Sequence, residues 1–354
     1  MYVRKWPVVV LVVAVVAVSV SVHAQPLKNV QILTGLSRPE IQRVMNEMRA
    51  GLGVHCHYCH ANDDTNGASD TKPEKARARE MIRMVMDLNA RHFGGQPVVT
   101  CFTCHNGKPH PALTPPLPQA VPPEPAVVEA KQLPALASVL QKYIAAVGRE
   151  LAPGTPRLFK GTHKSPTGPL VQMTIAYAGD KSRGEIHLPD GSILVQEVDA
   201  SGGWIRDTKG VRDMTADELV SARMSRRAFA LFHTSAIGED ARVVDSETIG
   251  ERRTWVVATP TARYWFDAES GVLLRRVVYF NSPVGRIPEQ TDFDDYRAVG
   301  DLKLPFLTRV ALVDPWFGGI RQAESIEVGA AIAPGEFEKP APGDGLTNGA
   351  RHEE

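Results

Sequence analysis

Two short segments restrict this chain more than anything else in it. They are Cys56-His57-Tyr58-Cys59-His60 and Cys101-Phe102-Thr103-Cys104-His105, and together they use all 4 cysteines of the 354-residue sequence. Three ordinary uses of paired cysteines compete. An even count in an exported chain reads as a disulfide framework, two C-x-x-C pairs can hold zinc, and one C-x-x-C can be a redox dithiol. None of these needs a histidine directly after each pair. Covalent haem attachment does, because two thiols add across two vinyl groups on one porphyrin edge and the next residue then lies beneath the iron and binds it. With 11 histidines in the chain, chance would place one after both pairs about once in a thousand. The motifs therefore read as two covalently bound haem c groups. Cys56, Cys59, Cys101 and Cys104 are the thioether positions, and His60 and His105 are the iron ligands.

A helix pattern precedes each motif. Ser37-Arg38-Pro39-Glu40 is a capping box with proline in the first turn, and Ile41, Val44, Met45 and Met48 follow at helical spacing. Gly51 and Gly53 end this helix and reverse the chain, which is expected to bring Cys56 back along the face bearing Met45 and Met48. In the second unit Asp70 or Thr71 is the expected cap and Pro73 opens the helix. Met81, Met84, Val85 and Leu88 form its apolar stripe, and Gly94-Gly95 stops it before Cys101. One design used twice supports one haem per unit. Methionine is a frequent second axial ligand in electron-transfer cytochromes and also an ordinary core filler. Periodicity leaves open which methionine of each helix reaches iron. His55 and His57 stand too near the first attachment site to reach the opposite haem face, and His92 is an alternative ligand for the second haem.

The stretch 29–107 resembles the tetrahaem cytochrome c subunit bound to photosynthetic reaction centres. The matching phrases are Met45 through Leu52-Gly53-Val54-His55-Cys56, and Arg79-Glu80-Met81-Ile82-Arg83-Met84 leading to Thr100-Cys101-Phe102-Thr103-Cys104-His105-Asn106-Gly107. In that family a methionine on the preceding helix is the sixth ligand of three haems, and a histidine serves the other. The resemblance implies Met45 rather than Met48 on the first iron and Met81 rather than Met84 on the second. It departs from the family in having two motifs instead of four, so it implies a stand-alone dihaem module.

The remaining chain sets the context. Arg4 and Lys5, an apolar run from Val8 to Val22 and the small-residue site Val22-His23-Ala24 form the pattern of a secretory signal over 1–24. The run is short for a membrane span of ~20 residues. Cleaved or retained as a tether, it places the rest outside the cytoplasm, in the periplasm. Formal net charge is +0, which excludes the basic excess of a nucleic-acid binder. The dihaem module is assigned to 25–108, a proline-rich linker to 109–134, a β-rich domain to 135–340 and a flexible tail to 341–354. The linker implies that the β-domain folds without haem.

A short helix is expected over 135–147, followed by alternating strand patterns. Asp190-Gly191 is a hairpin turn between strands 185–188 and 193–198. Further strands are read at 171–177, 253–258, 263–267, 272–280, 292–297, 306–313 and 322–328, with one helix from the capping box Thr215-Ala216-Asp217-Glu218 to about Phe232. The fold class is thus two-domain: a mostly α dihaem module, and an antiparallel β half-barrel with helices (α+β). The second part loosely resembles LolA-like periplasmic domains through Phe266-Asp267, Gly271-Val272-Leu273, Tyr296 and Leu304-Pro305. His163, His187 and His233 form no catalytic group, and Asp292, Asp294 and Asp295 read as a solvated loop.

The leading functional reading is an electron carrier, not an enzyme, whose partners are redox proteins. A dihaem peroxidase is the alternative, since an enzyme needs an open sixth position and a carrier needs both irons closed. A third reading makes the β-domain primary, binding an apolar ligand, a quinone or a protein. A concave apolar pocket would favour that third reading, and a filled interior would count against it.

Overall fold

The computed structural model describes residues 27–61, 67–114, 132–313 and 318–341. The signal over 1–24, most of the proline-rich linker, Trp316 and the tail beyond residue 341 lie outside the described residues. Among the described residues no helix is long and apolar enough to cross a membrane.

The N-terminal part is helical: α1 (Arg38–Leu52), a 3-10 turn (Cys56–Tyr58), α2 (Pro73–His92) and α3 (Cys101–His105). The Ser37 capping box forms, its backbone N–H and its hydroxyl both donating to the Glu40 carboxylate at 2.7 Å. Helix α1 ends at Gly53, whose φ of 66° is left-handed. The start of α2 differs from expectation. Lys72, not Asp70 or Thr71, occupies the cap position, with extended backbone. The residue before a proline is driven out of the helical region, so Pro73 fixes the start. Asp70 instead receives Arg79 at 3.0 Å and Lys75 at 3.1 Å from the first turns of α2. Those hydrogen bonds, Arg79's foremost and then those of Asn29 and Lys75, hold its carboxyl well below the usual carboxylate range.

After α4 (Leu136–Val147) come β1 (Arg157–Lys164), β2 (Leu170–Ala178), β3 (Lys181–His187), β4 (Ile193–Val198), β5 (Gly203–Asp207) and β6 (Gly210–Asp213). Helix α5 (Ala216–Ala228) then leads to β7 (Arg242–Ile249), β8 (Arg252–Ala258), β9 (Ala262–Asp267), β10 (Leu273–Ser282), β11 (Gly285–Val299), β12 (Leu302–Leu312) and β13 (Gly318–Val328). The 13 strands among the described residues form one sheet, ordered β6-β5-β4-β3-β2-β1-β13-β12-β11-β10-β9-β8-β7. It consists of two antiparallel meanders joined where the first strand pairs with the last. The segment holding α5 carries the chain from one sheet edge to the other. Where β1 meets β13 the register shifts after Lys160, and a Cβ on Gly161 would lie 2.1 Å from the Gln322 carbonyl oxygen. Glycine permits that approach, and the bulge adds curvature.

One face of the β8–β11 region packs against α4. Val139, Tyr143 and Val147 meet Phe232, Val257, Tyr264, Phe266, Leu273 and Phe293, all buried. Two cavities beside α4 have volumes of about 30 and 170 Å³, below the ~300 Å³ at which drug-sized ligands are usually held. Asp292, Asp294 and Asp295 stand on β11, not in a solvated loop, and pair with Arg275, Arg309 and Arg297. Each carboxylate is thus neutralised by a neighbouring guanidinium.

Candidate haem sites

In the first motif the chain from Cys56 to His60 makes one helical turn, with Cys59 N–H and His60 N–H both donating to the Cys56 carbonyl at 3.2 and 3.0 Å. Side chains three and four apart on such a turn share a face, so Cys56, Cys59 and His60 project together. The His60 ring lies against Gly67, where a Cβ would come within 3.3 Å of Cε1. Lys75 holds that loop. Its buried ammonium donates to the Gly67 carbonyl and, at 2.6 Å, to the Ser69 carbonyl. Lys72 donates to the His57 carbonyl. The first turn of α2 therefore clamps the first motif.

In the second motif α3 itself carries Cys101, Cys104 and His105. Thr100 caps it by accepting the Thr103 N–H at 3.3 Å, and Asn106 ends it in the left-handed region with φ 48°. His105 Nδ1 lies 3.0 Å from the Lys108 carbonyl oxygen. A carbonyl can only accept, so Nδ1 carries the proton, and Nε2 of the neutral ring keeps its lone pair for a metal. A structural histidine with both nitrogens engaged would lack that free pair.

The lead-in to Cys101 is held by Asn89, which sequence reasoning did not single out. It is 4% exposed. Its amide donates to the Val99 carbonyl at 2.8 Å and accepts the Val98 and Val99 N–H groups at 3.1 and 2.9 Å. The signal for it was present: a polar residue in the buried stripe of α2, in register with Ile82 and Val85.

Helix α1 lies against the second motif. The Gly107 N–H donates to the Gly51 carbonyl at 2.9 Å, and a Cβ on Gly53 would lie 2.0 Å from the Gly107 oxygen. The expected reversal does occur at Gly53, yet the surface that the last turn of α1 offers is taken by α3. Met45 and Met48 are both half-buried and pack on the cluster that contains Cys101. Met81 is half-buried in the middle of α2, while Met84 is 44% exposed. His92 is exposed at the end of α2.

The competing uses of the cysteines fare poorly. No disulfide joins any two of Cys56, Cys59, Cys101 and Cys104. Among the described residues no three His, Cys, Asp or Glu side chains converge as a metal-ligand set. A redox dithiol needs a lowered thiol pKa. Here burial, with Glu47 nearby, pushes the Cys101 thiol up to about 11, and burial also raises that of Cys59. Exposed apolar side chains concentrate around α2 and α3: Met84, Met86, Phe93, Val98 and Phe102 stand there. The residues present fit haem c.

Residues 4–133 match the family described as the photosynthetic reaction centre cytochrome C subunit. Cytochrome c-554 of Chloroflexus aurantiacus is 43% identical over 88 residues, 23% of this chain and 21% of that protein. The photosynthetic reaction center cytochrome c subunit of Rubrivivax gelatinosus is 35% identical over 92 residues, 25% of this chain and 24% of its own length. The chain thus spans about a fifth to a quarter of the relatives it matches. A LolA superfamily protein from Nitrosomonas europaea aligns with 58% of this chain and 98% of its own, at 9% identity and a TM-score of 0.38. A lipoprotein-sorting protein domain from Vibrio parahaemolyticus aligns with 57% of this chain and 95% of its own, at 11% identity and a TM-score of 0.37. Matches at that level assign no ligand to the sheet.

The motifs and the matches point first to a class, the c-type cytochromes, to which the N-terminal part is similar. Within that class, the N-terminal part is similar to the reaction centre cytochrome c subunit family.

Proposed function

We propose that this chain carries two haem c groups and passes electrons one at a time outside the cytoplasm, between redox proteins. The first haem is attached to Cys56 and Cys59 with His60 on its iron, and the second to Cys101 and Cys104 with His105. Met45 and Met81 are the sixth ligands. When bound, haem supplies the one-electron ferric/ferrous couple. The chain's own contribution is to hold the ligands. Lys108 fixes the His105 tautomer, Gly67 and Lys75 confine His60, and Asn89 sets the path into Cys101. The observation that carries the reading is the His105–Lys108 hydrogen bond on a helical turn that also presents both cysteines. The apolar start over 1–24 supports export.

Ligation is tested by the weak ferric absorption near ~695 nm that reports an iron–methionine bond, since thioether ligation also raises the potential. Met45→His should remove the first haem's share and lower its potential, and Met81→His should do the same for the second. Met48→Leu and Met84→Leu should leave both. Loss of the second band in Met84→Leu, but not in Met81→Leu, would show that the register on α2 is wrong. A high-spin ferric spectrum in the unmodified protein would replace the carrier with an enzyme.

A further inference from the structure

The proline-rich linker suggests two independent bodies, but the helical module and the sheet share a core. Val284, at the tip of the β10–β11 hairpin, is 0% exposed. It belongs to one cluster with Leu33, Val44 of α1, Ile82 of α2, Cys101 of α3 and Ile287 of β11. Next to it, Gly285 lies so close to Thr100 that a Cβ would sit 2.7 Å from Thr100 Cγ2, and its φ of 150° is one that side chains rarely adopt. Thr100 is the residue that caps α3.

Further contacts hold the same docking. Arg43 of α1 reaches Glu289 of β11 at 3.0 Å and stacks over Phe280 of β10 at 4.5 Å from the ring centroid. Arg227 of α5 also stacks on Phe280, at 4.2 Å. The Arg38 N–H donates to Asp217, in the first turn of α5, at 3.3 Å. The hairpin tip is thus seated against the start of the second motif and locked there from both flanks. No residue of the first motif belongs to that cluster and Cys56 is exposed, although Met45, assigned above to the first iron, packs against its rim.

We propose that the β10–β11 hairpin tip is a built part of the second haem site. Val284 and Gly285 are positioning residues. They press on Thr100 and Cys101, fix the attachment helix and keep water from that side of it. Burial disfavours the charged ferric state, so the sheet raises the potential of the haem on Cys101 and Cys104 more than that of the first haem. The assignment rests on the dihaem reading above. It also gives the sheet a role in the redox chemistry without requiring it to bind any ligand.

The test uses the full haem-loaded chain. Val284→Ala and Gly285→Val are compared with the unmodified protein by spectroelectrochemical titration. Gly191→Val, in the distant β3–β4 turn and also at positive φ (83°), is the control for general strain in the sheet. A Cys101→Ala/Cys104→Ala chain keeps only the first haem and so identifies which couple is which. The second couple should move to lower potential in both hairpin variants, by more than the first couple, with the control silent. Amide hydrogen exchange across residues 100–105 should quicken in Val284→Ala. Two unmoved couples, a first couple that moves as far as the second, or an equal shift in the control would each overturn the proposal. Mass analysis separates the failures: haem absent from Cys101 and Cys104 would overturn the dihaem reading and this assignment with it, whereas haem present with an unmoved second couple overturns this assignment alone.

Discussion

Arg43→Met is the perturbation that strains the docking of module and sheet most directly. Glu289 is 2% exposed, and Arg43 donates to its Oε2 at 3.0 Å while its Oε1 has no hydrogen-bond partner among the described residues. Removing the guanidinium strands a buried carboxylate, which costs ~3–5 kcal/mol when a buried pair is broken. The Arg43 side chain is 16% exposed, so water can partly replace it, and the lower end of that range applies. Loss of the stack on Phe280 adds ~0.5–1 kcal/mol. The expected cost is therefore about 3.5–4 kcal/mol, several hundredfold in the folding equilibrium. Adding Glu289→Met removes the stranded charge and should recover more than half of that cost. The assay is guanidinium denaturation of the haem-loaded chain, followed by haem absorbance and by tryptophan fluorescence. Both probes should report one transition that shifts together in Arg43→Met. A cost below ~0.5 kcal/mol, or the same cost with and without Glu289, would refute the reasoning.

Glu197 is 4% exposed, and burial, with Asp199 adding to it, pushes its pKa up to about 7. A carboxyl raised in the folded state destabilises once it ionises, so stability should fall as pH rises from ~4.5 to ~7. Glu197→Gln should therefore raise stability by up to about 3 kcal/mol above pH ~7 and leave it unchanged below pH ~4.5, as read from thermal melts across that range; an equal gain at every pH would exclude titration as the cause. Gly53→Ala meets both a φ of 66° and the Gly107 carbonyl. It should destabilise by at least ~2 kcal/mol and slow haem incorporation at Cys101 and Cys104 more than at Cys56 and Cys59, as measured by the haem stoichiometry of each site; a neutral effect would mean that α1 does not rest on the second motif.

What the sequence made legible is local. The Ser37-Glu40 and Thr215-Glu218 capping boxes, the stop at Gly53 and the turn at Asp190-Gly191 each depend on a few neighbouring residues, and each forms where expected. The motif turns follow from spacing alone. Contacts distant in sequence were not legible. Strand β1 joins the two meanders, yet Arg157–Lys164 is mostly charged or polar and carries no clean alternation. Its place is set by pairing with β2 and β13. The seating of α1 on the second motif depends on two glycine backbones meeting, which no periodicity reports. Val284 follows a proline in an unremarkable turn, and only the fold makes it a core residue between two distant parts of the chain.

The central claim is that both cysteine pairs carry haem. Intact mass of the exported protein, with peptide mapping of the two motifs and a pyridine haemochrome assay on the same sample, measures this directly. The account predicts two covalent haem additions per chain, one on the peptide holding Cys56 and Cys59 and one on the peptide holding Cys101 and Cys104. A mature chain with free thiols, bound zinc or a single haem would contradict it.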